Sequence, residues 1–409
     1  MFKSLLSLAA ASAFACSAAH AETVRIAYID PLTGPAASIT DNSLRSLQMA
    51  VNAANENNWA NGRKLEIIPL DGKGSPQESL LQFKSATDKG IRIIIQNLGS
   101  NVGLALQEAV NRYNERNPGK EVLYLDPSNL TPEMTNEKCS FWYFRFDSHV
   151  LLKTQALVSH LIRDGSVKKV YLINQNYATG QQVSAGVKAE LKRRNSNIEV
   201  VGDDLHPMLQ VKDFSPYVAK IKASGADAVI TANWSLDFTL LAKAAKDASL
   251  KAPFYTFNAG SQGIPAAMGA AGIEDVRLIT WWNPNEDQAT LEKIVLPFRQ
   301  QHGDDFNAVP SYSTIQFLAN AIKVSDSTNP VKIAQALEGM HLKALNGEVE
   351  MRRADHQLAQ PMYVTKWTRV DGKEVRYDSE KSGFGWKTVQ KIAMQDVPID
   401  TTCKMKRPV

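Results

Sequence analysis

The sequence predicts an α/β protein of two lobes, each a parallel sheet with flanking helices, and a hinged cleft between the lobes. Short β-rich runs alternate with helical stretches of roughly 10 to 15 residues, which is typical of βαβ units and of sheets buried on both faces. The alternation starts again near residues 140–150, and 409 residues exceed what one hydrophobic core usually holds. Because ligands bind beyond the carboxyl ends of parallel strands, two facing lobes would place both sets of loops around one cleft.

The first half of the chain contains four predicted strands separated by helices. Runs rich in Val, Ile and Leu predict the strands, and Leu44, Leu47, Val51 and Ala54 recur at helical spacing. The predicted strands are 24–29, 65–70, 91–95 and 121–125, and the predicted helices are 44–54, 76–89 and 102–116.

The second half repeats this order and then changes character. The predicted strands are 169–173, 198–201, 226–231, 254–257 and 276–281, and the predicted helices are 151–163, 181–194, 214–223, 236–248, 288–301 and 311–324. Near the end, the segments 347–351, 363–370 and 374–377 predict antiparallel strands, with Asp371-Gly372 as a hairpin turn.

The first 21 residues predict a cleaved secretory signal peptide. A single early lysine precedes a short apolar run at residues 5–15, and the Ala-His-Ala of residues 19–21 forms a cleavage site before Glu22. The run is too short to span a bilayer. Cleavage and lipid attachment at Cys16 is the alternative, but the residues before it fit such a site poorly. We therefore expect a periplasmic protein.

Composition excludes some classes of partner. The chain is 44% hydrophobic and 22% charged, which is ordinary for a soluble globular protein. The net charge of +4 falls by one when Lys3 leaves with the signal peptide. This balance argues against nucleic-acid binding, since such proteins concentrate positive charge.

Two cysteines, Cys139 and Cys403, remain after signal cleavage. An even number of cysteines in an oxidising compartment favours a disulfide, which would fasten the end of the chain to its middle. Two free buried thiols are the alternative.

Sequence signatures of catalysis are missing. The segment 259–263 has its glycines at the wrong spacing for a nucleophile elbow, and the chain contains neither a P-loop nor a dinucleotide fingerprint. The acid pair Asp203-Asp204 is expected in a solvated loop. We predict no enzyme activity, no metal site and no cofactor, although a triad assembled from distant residues stays open.

Three loops at one sheet end are candidates for binding a small molecule. The segment 96–103 follows an apolar strand and opens a helix, where free N–H groups and the helix dipole favour an anion. The loop 126–131 follows the next strand, and the loop 31–38 lies at the same end. The alternative for Ser100 or Asn101 is a simple helix N-cap.

The same loops carry a family resemblance. Leu-Thr-Gly-Pro at 32–35, Ser-Pro-Gln at 75–77 after Asp71, Leu-Gly-Ser at 98–100 and Asp-Pro-Ser-Asn at 126–129 resemble the branched-chain amino acid (Leu/Ile/Val)-binding proteins of ABC importers. The resemblance extends over essentially the whole mature chain. It implies the type I periplasmic binding protein fold, in which two α/β lobes joined by three crossovers close on a solute.

The resemblance also implies a set of ligand-binding residues. Ser100, with the backbone around Leu98 and Asn129, would hold a carboxylate of the solute. In the second lobe, Tyr177 and Trp234 match positions where the family uses aromatic side chains to cover the ligand. Packing in the core or in a loop is the alternative for both.

One position departs from the family pattern. Amino acid-binding members have an acid just after the strand predicted at 254–257, where it pairs with the ligand's ammonium, but this chain has Asn258. Asp147 is a possible substitute. We hypothesise a ligand without an ammonium, such as an aromatic or short aliphatic carboxylate or an amide, with amino acids close behind. Trp234, Trp281 and Trp282 would suit a flat ring, although the last two are alternatively core or hinge residues.

The expected molecule is a monomeric solute receptor that closes by bending near Asp147 and Asn283. Its expected partners are a small-molecule solute and the membrane subunits of an ABC importer. A sensory ligand-binding protein and, less favoured, an exported hydrolase are the alternatives. The predicted segments are a signal peptide (1–21), lobe 1 (22–146 plus 283–345), lobe 2 (147–282 plus 346–395) and a C-terminal tail (396–409).

Overall fold

The structure is a computed structural model, and it describes residues 22–34, 36–397 and 400–408. The predicted signal peptide, residues 1–21, lies outside the described residues. The described part is an α/β protein with mostly parallel sheets flanked by helices, as predicted.

The first sheet comes from the N-terminal third of the chain. Its elements are β1 (Thr23–Asp30), α1 (Ala37–Glu56), β2 (Lys64–Asp71), α2 (Pro76–Asp88), β3 (Ile93–Ile95), α3 (Ser100–Arg116), β4 (Leu123–Asp126) and β5 (Tyr143–Arg145). The strand order is β2-β1-β3-β4-β5, and all neighbouring pairs are parallel. The carboxyl ends of β1 to β4 therefore lie at one edge, where the candidate loops begin.

The second sheet repeats this arrangement. Its elements are α4 (Val150–Asp164), β6 (Lys169–Gln175), α5 (Ala178–Arg193), β7 (Glu199–His206), α6 (Ser215–Ser224), β8 (Ala228–Thr231), α7 (Ser235–Asp247), β9 (Phe254–Thr256), α8 (Ile264–Ala270) and β10 (Val276–Thr280). Strands β7, β6, β8, β9 and β10 are adjacent in that order and parallel.

The C-terminal part serves both sheets. Its elements are α9 (Gln288–Thr290), α10 (Leu296–His302), α11 (Val309–Ser325), α12 (Pro330–Leu337), β11 (His341–Ala344), β12 (Gly347–Met351), β13 (Leu358–Ala359), β14 (Met362–Arg369) and β15 (Phe384–Ile392). A π-helical turn joins α9 to α10. Strands β14 and β15 extend the second sheet in antiparallel fashion beside β10, and β11 to β13 form a small separate sheet.

Buried apolar side chains cover both faces of each large sheet. On the first sheet, Leu47 and Val51 of α1 belong to one cluster with Ile315 of α11, and α2 and α3 cover the opposite face. On the second sheet, α4 and α5 cover one face and α6, α7 and α8 the other. Residues buried on both sides explain why the central strands read as unbroken apolar runs.

The chain passes between the two sheets after β5, after β10 and before β14, which gives the three connections that the resemblance implies. Hydrogen bonds tie the first connection to the third: Gln357 donates from Nε2 to the carbonyl of Asp147 (2.7 Å) and Gln360 to that of Phe146 (3.0 Å). In the second connection, the buried Asn283 donates to the carbonyl of Trp386 (2.9 Å).

The packing of β12 and β13 bears on the lobe boundaries. Val349 and Met351 on β12 and Leu358 on β13 lie in the cluster of the first sheet. The sequence placed residues 346–395 with the second lobe. The clusters favour a boundary near residue 360, and the lobe limits otherwise stay a prediction.

The strand predicted at 374–377 is wrong. The backbone amides of Arg376 and Tyr377 donate to Oδ1 of Asn285 (both 2.9 Å), so they pair with a side chain and not with a strand. The carboxylate of Asp371 accepts from the amides of Lys373 and Val375 and closes the turn locally. The antiparallel partner of β14 is β15.

Cys139 and Cys403 form a disulfide, which confirms the predicted pairing. The tail is also held by hydrogen bonds to the same region, because Thr402 donates its amide to Oδ1 of Asn136 (3.3 Å). Further along, Arg407 pairs with Glu338 (2.7 Å). The tail thus leaves the second sheet after β15 and lies on the first lobe.

Candidate functional site

Aspartates end three strands of the first sheet and organise the loops that follow. Asp30 closes β1, Asp71 closes β2 and Asp126 closes β4. Asp71 accepts from the backbone amides of Leu32 (3.0 Å) and Lys73 (2.9 Å), one in the neighbouring loop and one in its own. Because each carboxylate satisfies backbone donors, these loops are held in one conformation.

The β3–α3 loop is fixed by Asp30. The buried carboxylate accepts from the amides of Asn97 (2.9 Å) and Leu98 (3.0 Å), 67 and 68 residues away in the chain. Burial raises the pKa of Asp30 to about 7, against the lowering effect of the hydrogen bonds from Leu98 and Asn97. Gln96 donates from Nε2 to the carbonyl of Leu98 (2.6 Å). The loop is thereby held at both its entrance and its middle.

Helix α3 begins without a side-chain cap. Gly99 occupies the N-cap with a φ of 99°, a region that favours glycine, and Ser100 and Asn101 are the first helical residues. The alternative that Ser100 or Asn101 is the N-cap is therefore wrong. The first turn of a helix has unpaired backbone N–H groups and the positive end of the dipole, so this end suits an anion.

Asn129 lies directly beside the start of α3. Its Nδ2 donates to Oε1 of Gln96 (2.8 Å), and its Oδ1 is buried without a hydrogen-bond partner in the described residues. A side chain on Gly103 would place its Cβ 2.6 Å from Nδ2 of Asn129. Glycine at 103 is thus what lets the helix approach the β4 loop.

In the second lobe, Tyr177 and Trp234 occupy equivalent places. Each is the residue just before a helix, α5 and α7 respectively, and neither provides a side-chain cap. Burial raises the pKa of Tyr177, while hydrogen bonds of its hydroxyl with Thr179 and Trp234 lower it. The two residues therefore lie near each other at the carboxyl edge of the second sheet.

Asn258 lies at the same edge, after β9. Its Nδ2 donates to the carbonyl of Ala232 (2.7 Å), and its backbone amide donates to Oγ1 of Thr256 (3.1 Å). The side chain links the end of β9 to the loop after β8. A neutral amide therefore stands where the resemblance implies a carboxylate.

Asp147 lies in the first connection and already has a cationic partner. Its carboxylate is 3.2 Å from Nζ of Lys153, and both side chains are buried. Burial raises the pKa of Asp147, and Lys153 lowers it. This ion pair gives the Asp147 carboxylate a partner within the chain, which does not favour the predicted pairing with a ligand ammonium.

The two tryptophans after β10 lie in apolar packing. Trp282 is buried in the cluster of the first sheet and meets the ring of Phe306 edge-on at 6.0 Å. Trp281 packs against clusters of both sheets, and Nζ of Lys153 lies 5.6 Å from its ring centroid. These positions favour the core and hinge alternative over stacking on a solute.

The predicted site residues thus fall into two groups at two sheet edges. Leu98, Ser100 and Asn129 belong to the first sheet, and Trp234 and Asn258, with Tyr177, belong to the second. That these groups bind a solute stays a prediction. The organising role of Asp30 was missed, although an acid directly ending an apolar strand is a signal that a sequence shows.

A cavity of about 470 Å³ lies elsewhere, between residues 132–137, α4, α5 and the C-terminal tail. Glu133, Glu137 and Asp400 line it, and none of the predicted site residues is among its described lining. Three carboxyl groups disfavour an anionic solute there.

Among the described residues, no group of three or more His, Cys, Asp or Glu side chains is placed to hold a metal ion. The helices of the same residues are all too short or too polar to span a membrane.

The sequence profile described as periplasmic binding protein matches residues 23–374. The chain belongs to this family. This periplasmic binding protein is 33% identical to the Leu/Ile/Val-binding protein homolog 4 of Brucella melitensis over an alignment 414 positions long, which covers 98% of this chain and 97% of the relative.

Solved structures agree with the family assignment. The closed conformation of the leucine-, isoleucine-, valine-, threonine- and alanine-binding protein of Brucella ovis matches with a TM-score of 0.86 and 32% identity, over 95% of this chain and all of that one. A solute-binding protein of an ABC transporter from Rhodopseudomonas palustris, in complex with 3,4-dihydroxybenzoic acid, matches with a TM-score of 0.76 over 91% and 98% of the chains. At 18% identity this second likeness shows the fold alone.

Proposed function

We propose that this periplasmic binding protein captures a small carboxylate-bearing solute by closing its two lobes and delivers it to the membrane subunits of an ABC importer. Ser100, Leu98 and Asn129 would hold the carboxylate, and Tyr177 and Trp234 would cover the rest. The protein would bind and release the solute without changing it chemically.

The start of α3 is the observation that carries the proposal. The loop before it is fixed by a buried carboxylate, and its N-cap is a glycine. Ser100 is partly exposed there, and its hydroxyl has no hydrogen-bond partner among the described residues. A fixed loop loses little conformational freedom on binding, so its N–H groups can be used fully by the anion.

Asn258 supports a narrower proposal about the solute. An ammonium buried beside a neutral amide would lack a compensating charge, which costs several kcal/mol in an apolar cleft. Asp147, the substitute acid, is engaged with Lys153. We therefore place aromatic and aliphatic carboxylates without an amine ahead of amino acids.

Amino acids are the second candidate, and the relatives support it. Both the B. melitensis and B. ovis proteins carry names that refer to leucine, isoleucine and valine, at 33% and 32% identity to this chain. An ammonium would then need backbone carbonyls or the Oδ1 of Asn258 as acceptors.

Closure would be a shift between open and closed populations, driven only by the contacts that the solute makes in the closed state. The three connections would bend near Asp147, Asn283 and Gln360. An affinity near micromolar corresponds to about 8 kcal/mol from these contacts.

Calorimetric titration tests both levels of the proposal. Residues 22–409, stripped of carried-over ligand by unfolding and refolding, would be titrated with 4-hydroxybenzoate and with L-leucine. We expect 4-hydroxybenzoate to bind and Ser100→Ala to weaken this binding. Ser159→Ala, on α4 and outside the proposed site, should leave the binding unchanged. Binding of leucine alone would contradict the argument from Asn258 and retain the receptor. Binding that Ser100→Ala does not weaken would contradict the proposed carboxylate site.

Signal cleavage, oligomeric state and the fate of the bound solute can each be measured. Mass spectrometry of the exported protein should find Glu22 at its N-terminus, and size-exclusion chromatography should find a monomer. Solute recovered after prolonged incubation should be chemically unchanged, whereas turnover would favour the hydrolase alternative. A pull-down in which the importer's membrane subunits are absent and a signalling receptor is present would favour the sensory role.

A further inference from the structure

Near Tyr177 and Trp234, which together are called the aromatic wall, the second lobe has a buried carboxylate that forms no ion pair among the described residues. Asp237, in the first turn of α7, is 1% exposed. Its Oδ2 accepts from Nε2 of Gln175 (2.8 Å) and from the backbone amide of Leu209 (2.7 Å). Both donors are neutral, and the other carboxylate oxygen is buried with no hydrogen-bond partner in the described residues.

One oxygen of Asp237 therefore joins three segments. Gln175 is the last residue of β6, Leu209 follows β7, and Asp237 itself belongs to the helix that follows β8. These segments are adjacent at the carboxyl edge, because β6 lies between β7 and β8 in the sheet. A buried carboxylate that loses such donors would be costly, so the three segments are held together.

Two of these segments carry the aromatic residues of the proposed cleft. Tyr177 follows Gln175 by two positions, and its amide donates to the Gln175 carbonyl (2.9 Å). Trp234 lies three positions before Asp237, and its carbonyl accepts from Nε2 of Gln175 (3.5 Å). Gln175 thus contacts Asp237 and Trp234 through one amide group.

The backbone around Asp237 is in unusual conformations. Leu209 has a φ of 57° and Ser235 a φ of 55°, both in the left-handed region that non-glycine residues rarely adopt. The Leu209 side chain is 45% exposed, so deep burial of that side chain does not explain its conformation. The hydrogen bond to Asp237 holds this backbone in place, and strained residues of this kind are typical of functional sites.

We propose that Asp237 is the positioning residue of the aromatic wall: it fixes Trp234 and Tyr177 relative to each other so that the wall is formed before the solute arrives. The inference rests on the proposed function, since it takes these two side chains to face the solute. The wall would then gain affinity through pre-organisation, not through contact of Asp237 with the solute.

Fluorotryptophan labelling with ¹⁹F NMR tests the inference without a ligand. The chain has seven tryptophans, and Trp234→Phe assigns the resonance of Trp234. In Asp237→Ala we expect that resonance to shift or broaden, while those of Trp367 and Trp386, buried elsewhere on the second sheet, stay in place. Asp237→Asn keeps a carbonyl oxygen as acceptor and should restore most of the wild-type signal.

Ser184→Ala is the matched control. It removes a buried hydrogen bond in which Nδ2 of Asn174, one residue before Gln175 on the same strand, donates to the Ser184 hydroxyl on α5 (2.9 Å). It also removes the hydrogen bond that this hydroxyl donates to Oδ1 of Asp203 (2.9 Å). The Trp234 resonance should not move in this variant. If Asp237→Ala fails to fold, Gln175→Ala removes one of the two donors and should shift the same resonance.

An unmoved Trp234 resonance in folded Asp237→Ala, or in Gln175→Ala where the first variant is unfolded, would overturn the inference. The binding readout is separate. For whichever of 4-hydroxybenzoate or L-leucine binds the wild type, Asp237→Ala should weaken the affinity about tenfold. A shifted resonance with unchanged affinity would uphold the positioning of Trp234 but contradict its proposed contact with the solute, so the two failures are distinguishable.

Discussion

The proposed cleft has two walls: the loops at the carboxyl edge of the first sheet and those at the carboxyl edge of the second. Both walls follow parallel strands, but different kinds of side chain hold their loops in place. In the first lobe, Asp30, Asp71 and Asp126 end strands, and their carboxylates accept from backbone amides of the loops. In the second lobe, the strands β6 to β9 end in Gln175, His206, Thr231 and Thr256, all neutral or weakly basic. A deeply buried carboxylate that accepts from a backbone amide of this lobe, Asp237, lies on a helix and not at the end of a strand.

This difference indicates a division of labour. Carboxylates that accept from backbone donors hold the loops of the first wall in place, and in the proposed function the first turn of α3 would offer its N–H groups to an anion. Amides and hydroxyls form weaker hydrogen bonds, so the second wall depends on contacts between its loops and on its aromatic side chains. In the proposed function, the first wall would recognise a charged group of the solute, and the second wall would cover its apolar part.

The largest effect is expected when the side chains that end the strands are replaced by alanine. Asp126 accepts from the amides of Ser128 and Asn129 and from the hydroxyl of Tyr143. Asp126→Ala should lower the free energy of unfolding by about 3–5 kcal/mol, since three donors lose their acceptor. Thr231→Ala, which removes one acceptor for the amide of Asn233, should cost about 1 kcal/mol. Urea unfolding measures both, and equal losses would contradict the comparison.

The two lobes should also differ in how their stability depends on pH, because strands of the first lobe end in carboxyl groups and those of the second do not. Since burial raises the pKa of Asp30 from 3.8 to about 7, its contribution to stability is fully present below about pH 4 and is lost as the pH rises to about 7. The stability of the wild type relative to Asp30→Asn should therefore fall by about 4 kcal/mol from pH 4 to pH 8. Relative to Thr256→Val, which alters a strand end of the second lobe without a carboxyl group, it should not change with pH. A flat profile against Asp30→Asn would contradict the role of burial at this strand end.

Substitution of one glycine in each lobe compares helix α3 of the first lobe with helix α5 of the second. Gly103→Ala places a Cβ 2.6 Å from Nδ2 of the buried Asn129 and should weaken solute binding about tenfold, because the start of α3 must move. Gly186→Ala on α5 brings its Cβ 3.0 Å from Cδ2 of Leu151, the end of a flexible side chain. It should leave binding unchanged and stabilise the helix by up to about 1 kcal/mol. Calorimetric titration measures the solute affinity, and thermal unfolding measures the stability. A loss of affinity in Gly186→Ala but not in Gly103→Ala would contradict the placement of the solute at the start of α3.

The smallest expected effect concerns the hydroxyl of Tyr177. Tyr177→Phe removes its hydrogen bonds with Thr179 and Trp234 but keeps the ring, so the affinity should change by less than about threefold. Titration of the variant measures this. A much larger loss would mean that the hydroxyl itself contacts the solute, and the second wall would then recognise polar groups as well.

The parallel sheets were readable from the sequence because their strands are buried on both faces, as in the three isoleucines of β3. The turn near Asp371 was misread because the donors at Arg376 and Tyr377 find the side chain of Asn285, some 90 residues earlier. A local pattern carries no information about such a partner.

Part of the candidate site could likewise be predicted from the sequence, and part could not. The loops at strand ends and the helix start near Ser100 follow from the order of elements, which is visible along the chain. The N-cap at Gly99, the ion pair of Asp147 with Lys153 and the contacts of Asp237 depend on backbone conformation or on residues brought together by folding. Asp237 in particular looks like an ordinary first-turn acid of a helix until its burial is known.

The packing of α11 on α1 has a consequence for how the chain is made. The apolar face of α1 is covered by residues that follow it by more than 250 positions, and Asn42 donates to the carbonyl of Asp305 across the same contact (2.8 Å). The first lobe is therefore incomplete until most of the chain has been delivered, whereas most of the second lobe is contiguous in sequence. Contacts of such long range slow folding, so the apolar face of α1 stays without its partner until the C-terminal part of the chain has been synthesised.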